Sequence, residues 1–205
     1  MKRALAALIV LAGCQDDVAT PFPPGLEPLE DNLVEEMPDG PFVEMLRTRA
    51  TNSDFVRVHG RGFVRVPPTT MWAVAKSPLP NVQKCKTDEQ RVTIGDDPAY
   101  EFSFLVHYVV YDFLTVEWDD QWRFGTVDDS LAMIKHQKVQ GSDFISLSAG
   151  TIQVLATKDP DVTELVFVEH LDAVSAGTGD VLQGMQYNYD ALVAAAHGNS
   201  IPPCR

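Results

Sequence analysis

The sequence predicts an α+β domain with an antiparallel sheet of about seven strands, a short helix after the first strand and a long helix at the end. Two observations carry this prediction. Across most of residues 54–174, apolar and polar side chains alternate and turn residues separate the alternating runs, a pattern typical of strands with one buried face. From Gly179 onward the apolar residues recur with the 3.6-residue period of a helix.

The first predicted strand covers residues 55–66, where the even positions are apolar or glycine and the odd positions carry the charge. Pro67 and Pro68 end this strand. Proline is favoured at the start of a helix, so we predict the short helix over residues 69–75.

The following strands are predicted to pair with their sequence neighbours, because short loops join them into an antiparallel meander. One position is ambiguous. Residues 119–121 are either part of a continuous strand, which would point Asp120 into the core, or a tight turn between two shorter strands, which we favour. The predicted strands cover residues 91–95, 101–111, 114–124, 131–139, 144–157 and 162–174.

The closing helix is predicted over residues 179–197, and Gly198 stands where a helix-ending glycine is expected. An amphipathic helix after a sheet must bury its apolar stripe against that sheet. The stripe consists of Val181, Leu182, Met185, Tyr189, Leu192, Val193 and Ala196.

The N-terminus is predicted to be a secretory signal peptide: two basic residues precede an apolar run over residues 4–11 and small residues lead into Cys14. The run is shorter than the roughly 20 residues that cross a membrane. Leu11-Ala12-Gly13-Cys14 resembles the lipobox of bacterial lipoproteins. The resemblance implies that residues 1–13 are removed and that Cys14 becomes the acylated first residue. Gln15 rather than Asp after this cysteine implies sorting to the outer membrane.

Residues 14–50 are predicted to form an acidic, proline-rich tether between the anchor and a domain over residues 51–198, with a C-terminal tail over residues 199–205. From residue 15 to residue 46 there is no Lys or Arg, and there are nine acidic residues and six prolines. Such a composition favours a solvated, extended spacer. The alternative is a short amphipathic turn that docks on the domain through Leu26, Leu29, Leu33, Val34 and Met37.

The net charge limits which partners the chain can bind, and the cysteines indicate a disulfide. A formal net charge of −13 makes nucleic acid an improbable partner and leaves acyl chains as the means of membrane attachment. Cys85 and Cys204 are a candidate disulfide, because an exported chain meets an oxidising compartment; the alternative is one buried and one exposed thiol. No Cys or His spacing indicates a metal site, and we expect no metal and no cofactor.

The order of these elements resembles the START-related superfamily, also called SRPBCC, whose helix-grip fold occurs in lipid-transfer domains and polyketide cyclases. The resemblance covers residues 54–198 and is carried by Val66-Pro67-Pro68-Thr69-Thr70-Met71-Trp72 and by the closing helix. It implies a curved sheet wrapped around that helix, with an apolar cavity that binds hydrophobic ligands between them. The expected lining residues, which could instead fill the core, are Phe102, Phe104, Tyr108, Val116, Trp118, Met185 and Tyr189, with Gly184 leaving room on the helix.

The sequence assigns no catalytic residue, since the five histidines share no ligand or triad spacing. Alternation places His59 and His107 on the wet faces of their strands. His170 is flanked by Glu169 and Asp172, and we favour a hydrogen bond at the rim over a role as general base.

We therefore expect a membrane-anchored lipoprotein whose domain binds a hydrophobic small molecule or lipid. One alternative is a cyclase- or hydratase-type enzyme, which predicts an inward acidic residue or histidine. The other alternative is an interaction module with a filled core, which predicts an exposed apolar patch.

Overall fold

The computed structural model describes residues 16–38, 40–82, 85–111, 113–128 and 131–203. The predicted α+β fold is confirmed: a curved, open antiparallel sheet packs against a C-terminal helix. The elements are β1 (Leu46–Asn52), β2 (Val56–Val64), α1 (Pro68–Ala75), α2 (Pro78–Val82), β3 (Glu89–Ile94), β4 (Phe102–Tyr111), β5 (Thr115–Asp128), β6 (Leu131–Gly141), β7 (Ile145–Ala156), β8 (Thr163–Ala173) and α3 (Thr178–Ala196).

The strands lie in the order β1-β2-β8-β7-β6-β5-β4-β3 in one 8-stranded sheet. The meander from β3 to β8 follows the prediction, and β8 then pairs with β2. The additional strand is β1, which spans the predicted boundary at residue 51: its residues 46–50 lie in the range predicted as tether. Only two of its 7 residues, Leu46 and Ala50, are apolar, which is too weak a pattern to predict a strand. It joins the sheet by pairing along its whole length with β2.

Strand β5 runs through the position where we favoured a tight turn, so that interpretation was wrong. Asp120 is fully buried between Trp118 and Trp122 on the same face of the strand. The pairing of β5 with β6 has a bulge between Asp119 and Asp120. A bulge lets one strand carry an extra residue without ending the pairing.

Helix α3 packs on the inner face of the sheet over β1, β2 and β8, and it also contacts α1 and α2. Gly62 on β2 permits this close approach, because a Cβ atom there would lie 2.6 Å from the ring of Tyr189. The Tyr189 hydroxyl donates to the Phe63 carbonyl at 2.6 Å. At the helix start, the Gly177 N–H donates to the Asp180 carboxylate at 2.8 Å. Gly184, expected beside the cavity, faces solvent.

Residues 16–38, which we call the N-terminal strap, lie across the outer face of the sheet, so this part of the predicted tether is not a solvated spacer. The Thr20 N–H donates to the Val139 carbonyl at 2.7 Å. The Arg123 guanidinium donates to the Pro23 carbonyl at 3.0 Å, and the Asn32 amide donates to the Phe167 carbonyl at 2.8 Å. The strap is bound in an extended form, through hydrogen bonds of its backbone and of the Asn32 side chain, and not through a helical apolar face.

The strap buries His59, which we had expected on a wet face. His59 is 0% exposed, and its Nδ1 accepts the Leu33 N–H at 3.3 Å. One oxygen of Glu30 lies 3.1 Å from His59 Nε2 and 3.0 Å from His170 Nε2. The partner of His170 is therefore a carboxylate of the strap and not one of its flanking acidic residues.

Acid is expected to loosen the strap. Burial lowers the pKa of His59 below its ordinary value of 6.5, and the charges of His170 and Arg49 act in the same direction, while Glu30 opposes them. Arg57 lies 3.8 Å from the other oxygen of Glu30. Below pH 6.5 the unfolded chain thus binds a proton that the folded chain excludes, so stability falls as the pH falls and is unaffected by His59 above 6.5.

Urea unfolding of the wild type and of His59→Gln between about pH 8 and about pH 5 measures this effect. The wild type should lose more free energy of unfolding than the variant, by at most about 1.4 kcal/mol per pH unit below the ordinary pKa. Parallel curves for the two proteins would contradict the prediction.

Candidate functional site

The predicted lining residues lie on the inner face of the sheet and on α3. Phe104, Tyr108, Trp118, Met185 and Tyr189 are buried in one continuous apolar cluster. Phe102 and Val116 are partly buried and pack against this cluster. The structure therefore brings all these residues to one core, and their contact with a ligand stays a prediction.

These aromatic side chains pack on one another. The rings of Tyr108 and Trp118 stack with centroids 5.1 Å apart, and those of Phe104 and Trp122 with centroids 5.6 Å apart. The Tyr108 hydroxyl donates to the Val82 carbonyl of α2 at 2.8 Å. Burial is the main cause that raises the pKa of Tyr108, and the charges of Asp120 and Glu169 raise it further. The hydroxyls of Tyr108 and Tyr189 thus each donate to a backbone carbonyl, and these two hydrogen bonds connect α2 and α3 to the sheet.

Four ionisable side chains lie among the apolar residues of the inner face, and we call them the polar cluster: Asp120, His136, Lys138 and Glu169. The first three are 0%, 3% and 3% exposed. Charged side chains are rarely buried in this way unless they are paired with another group or take part in binding or catalysis. The polar cluster is therefore our candidate functional site.

Lys138 has a structural role in the site. Its ammonium group donates to the carbonyls of Ser142 and Ile145 at 2.7 and 2.6 Å, which closes the turn between β6 and β7. Burial lowers the pKa of Lys138, while nearby acidic groups, including Asp120, oppose this shift.

His136 has one ring nitrogen paired and the other available. Its Nε2 lies 3.0 Å from Glu169 Oε1, and a carboxylate can only accept, so Nε2 donates this hydrogen bond; in the neutral imidazole Nδ1 is then an acceptor. Within the described part of the chain, His136 Nδ1 is buried without a hydrogen-bond partner. The same holds for Nε1 of Trp122, whose ring stacks on His136 with centroids 4.2 Å apart.

Gly150 on β7 makes room for the pair of His136 and Glu169. A Cβ atom at this position would lie 2.2 Å from His136 Nε2 and 2.4 Å from Glu169 Oε1. No L side chain fits there unless the pair separates. The site therefore depends on this glycine as well as on the two residues that bond.

The other histidines lie outside the inner face, and each has a carboxylate within reach. His107 Nδ1 is 2.8 Å from Asp119 Oδ1, and His197 Nε2 is 2.7 Å from Glu44 Oε1. Cys85 is disulfide-bonded; Cys204 lies outside the described residues, so the predicted pairing stays a prediction. Cys14 also lies outside them. Among the described residues, no group of three or more potential ligands is placed to hold a metal ion.

A surface pocket of about 340 Å³ opens where the strap begins beside β5, and Trp118 is part of its lining. Its walls include Asp17, His107, Asp119 and Gly141. This pocket is polar and acidic, so it is not the apolar cavity that the sequence led us to expect.

No protein-family model and no curated protein matches this chain. Solved structures do. A STAR-related lipid transfer protein from Xanthomonas axonopodis is 11% identical, with 77% of this chain and 97% of that chain covered and a TM-score of 0.54. Human StAR-related lipid transfer protein 5 is 13% identical, with coverage of 75% and 82% and a TM-score of 0.54. The lipid transfer and protein localization domain of human StarD13 is 11% identical, with coverage of 77% and 85% and a TM-score of 0.50. The chain therefore has the fold of START-like lipid-transfer domains.

Proposed function

We propose that this protein is a lipoprotein anchored to the outer membrane through Cys14, and that its START-like domain binds a hydrophobic small molecule or lipid between the sheet and α3. The lipobox resemblance supports the anchor, and one observation carries the ligand-binding part of the proposal. The apolar inner face contains buried polar atoms without a partner, His136 Nδ1 and Trp122 Nε1. A core that only stabilised the fold would gain by filling these positions with apolar side chains.

The two atoms indicate which polar group the ligand carries. His136 Nδ1 accepts a hydrogen bond and Trp122 Nε1 donates one, and a hydroxyl is the simplest group that complements both. Asp120 and Glu169 outnumber the ammonium of Lys138 in the polar cluster, so a carboxylate or phosphate would meet repulsion. We therefore infer an uncharged, hydroxyl-bearing apolar ligand.

The apolar part of the ligand supplies most of the affinity, since each Å² of apolar surface removed from water contributes about 25 cal/mol. The stacked rings of the inner face must move apart to admit it. Helix α3 and the loop before it are the elements whose displacement opens the space, because α3 covers β2 and β8.

Native mass spectrometry with organic extraction, on the full mature protein purified from its own envelope, tests the proposal. We expect a co-purifying neutral hydroxylated molecule. A clean protein mass, together with no uptake of an apolar fluorescent probe, would contradict ligand binding and favour the filled core.

The polar contact is tested by measuring how well 1-dodecanol, dodecanoate and dodecane each displace the bound apolar fluorescent probe. We expect His136→Leu to weaken dodecanol binding about tenfold, the equivalent of one buried hydrogen bond, and to leave dodecane unchanged. The matched control is His197→Leu, which removes a histidine–carboxylate pair from the surface end of α3. Equal losses for dodecanol and dodecane would contradict a hydroxyl site.

A second candidate, a cyclase- or hydratase-type enzyme, is favoured by the pairing of His136 with Glu169. A carboxylate that holds Nε2–H leaves Nδ1 ready to take a proton from a substrate O–H or C–H group. Once the ligand is known, Glu169→Gln distinguishes the two functions. An enzyme should lose roughly 100-fold or more in turnover, whereas a binding protein shows no turnover to lose.

A further inference from the structure

One end of the sheet carries exposed apolar side chains on separate loops. Tyr111, Phe113 and Leu114, where β4 turns into β5, are 57%, 96% and 39% exposed, and Val174 after β8 is 81% exposed. We call these four residues the apolar end. The register brings them to one end of the sheet: Tyr111 pairs with Thr115, Trp118 with Gly141, and Ile145 with Ala173.

The N-terminal strap begins at this same end. The Asp16 carbonyl accepts the Asp143 N–H at 3.1 Å, and the Val18 N–H donates to the Gly141 carbonyl at 2.9 Å. A further β-bridge joins Asp17 to Ser142. The first described residues are therefore fixed against the turn between β6 and β7.

Only Gln15 stands between Asp16 and Cys14 in the sequence. An extended chain covers at most about 3.6 Å per residue, so an acyl anchor on Cys14 is attached within about 7 Å of Asp16. With the strap bound, the bilayer that holds the anchor must lie next to the turn between β6 and β7, and thus next to the apolar end.

We propose that the apolar end inserts into the surface of the lipid bilayer that holds Cys14, so that the domain binds the membrane in one fixed orientation. This inference rests on the proposed acylation of Cys14. Apolar side chains and not basic ones make the contact, and the chain has a net charge of −13. The lipid surface it fits is consequently one with uncharged or zwitterionic headgroups.

The orientation is tested with the full acylated protein in phosphatidylcholine vesicles. A photoreactive p-benzoylphenylalanine replaces Phe113 in one variant and Val127 in another; Val127 is 54% exposed at the opposite end of β5. We expect cross-linking to lipid at position 113 to exceed that at position 127 by tenfold or more. Both positions are exposed, so neither replacement disturbs the core.

Flotation of the same samples separates the two proposals. If the protein floats with the vesicles and both positions cross-link to lipid equally, the orientation is overturned and the anchor stands. If the protein does not float, the anchor is overturned, and the orientation with it. Flotation together with selective cross-linking at position 113 supports both.

Discussion

Removing the acylation site is expected to move the protein entirely from the membrane fraction to the soluble fraction. No helix among the described residues is long and apolar enough to cross a membrane, and the net charge of −13 gives no attraction to anionic headgroups. Each buried acyl methylene contributes about 0.8 kcal/mol, so we expect the proposed acyl chains on Cys14 to supply nearly all of the attachment. The apolar end adds to it only once the anchor is in place.

The comparison uses two exported chains. One keeps its own residues 1–14, and in the other a cleavable secretory signal replaces residues 1–13 and Cys14→Ser removes the thiol. Membrane fractionation and incorporation of radiolabelled palmitate are measured for both. The control, Gln15→Ser, should stay in the membrane fraction. Retention of the Cys14→Ser chain in that fraction would show that something other than Cys14 anchors the protein.

Gly62→Ala is expected to lower the free energy of unfolding by about 3 kcal/mol, at the upper end of what overpacking costs. The added methyl group would lie 2.6 Å from the Tyr189 ring and 3.2 Å from the Met45 carbonyl. The ring cannot simply rotate away, because its hydroxyl bonds to the Phe63 carbonyl. Either this hydrogen bond breaks or α3 moves away from β2. Urea unfolding monitored by tryptophan fluorescence measures the loss.

The matched substitution is Gly184→Ala on α3. A Cβ atom at Gly184 meets nothing within 4 Å, and alanine is favoured over glycine inside a helix by about 0.5–1 kcal/mol. This variant should therefore be more stable than the wild type. If Gly62→Ala and Gly184→Ala both stabilised the protein, close contact between α3 and β2 would not be a constraint on the fold.

The strands and the closing helix were predictable because their side chains repeat with the period of their own structure. The strap and β1 were not. In the strap, acidic residues and prolines indicated a solvated chain, but partners far along the sequence hold it in an extended form: Arg123 donates to the Pro23 carbonyl, and the Phe167 carbonyl accepts from Asn32 of the strap. Strand β1 is an edge strand that pairs through its backbone, and its side-chain pattern therefore carries little information.

The candidate site was only partly predictable for a related reason. The apolar lining follows from alternation alone. Asp120 was assigned to a turn, because adjacent aspartates are unfavourable in strands, and the packing of Trp118 and Trp122 overrides that preference. His136 shares the alternation of Ala132 and Ile134, and this signal marks it as inward. Its partner Glu169 and the glycine that admits them lie on other strands, so the site itself required the register of the sheet.

The pairing of β2 with β8 also affects the order in which the strands can pair during folding. Val56 pairs with Leu171, and Gly60 with Phe167, so β1 and β2 emerge first, whether from the ribosome or after export, and one edge of β2 stays unpaired until β8 follows. Contacts between such distant segments slow folding. During that interval β2 is an open edge able to pair with other chains. The basic side chains of Arg57 and Arg61 on this strand reduce that hazard until β8 emerges and the sheet is complete.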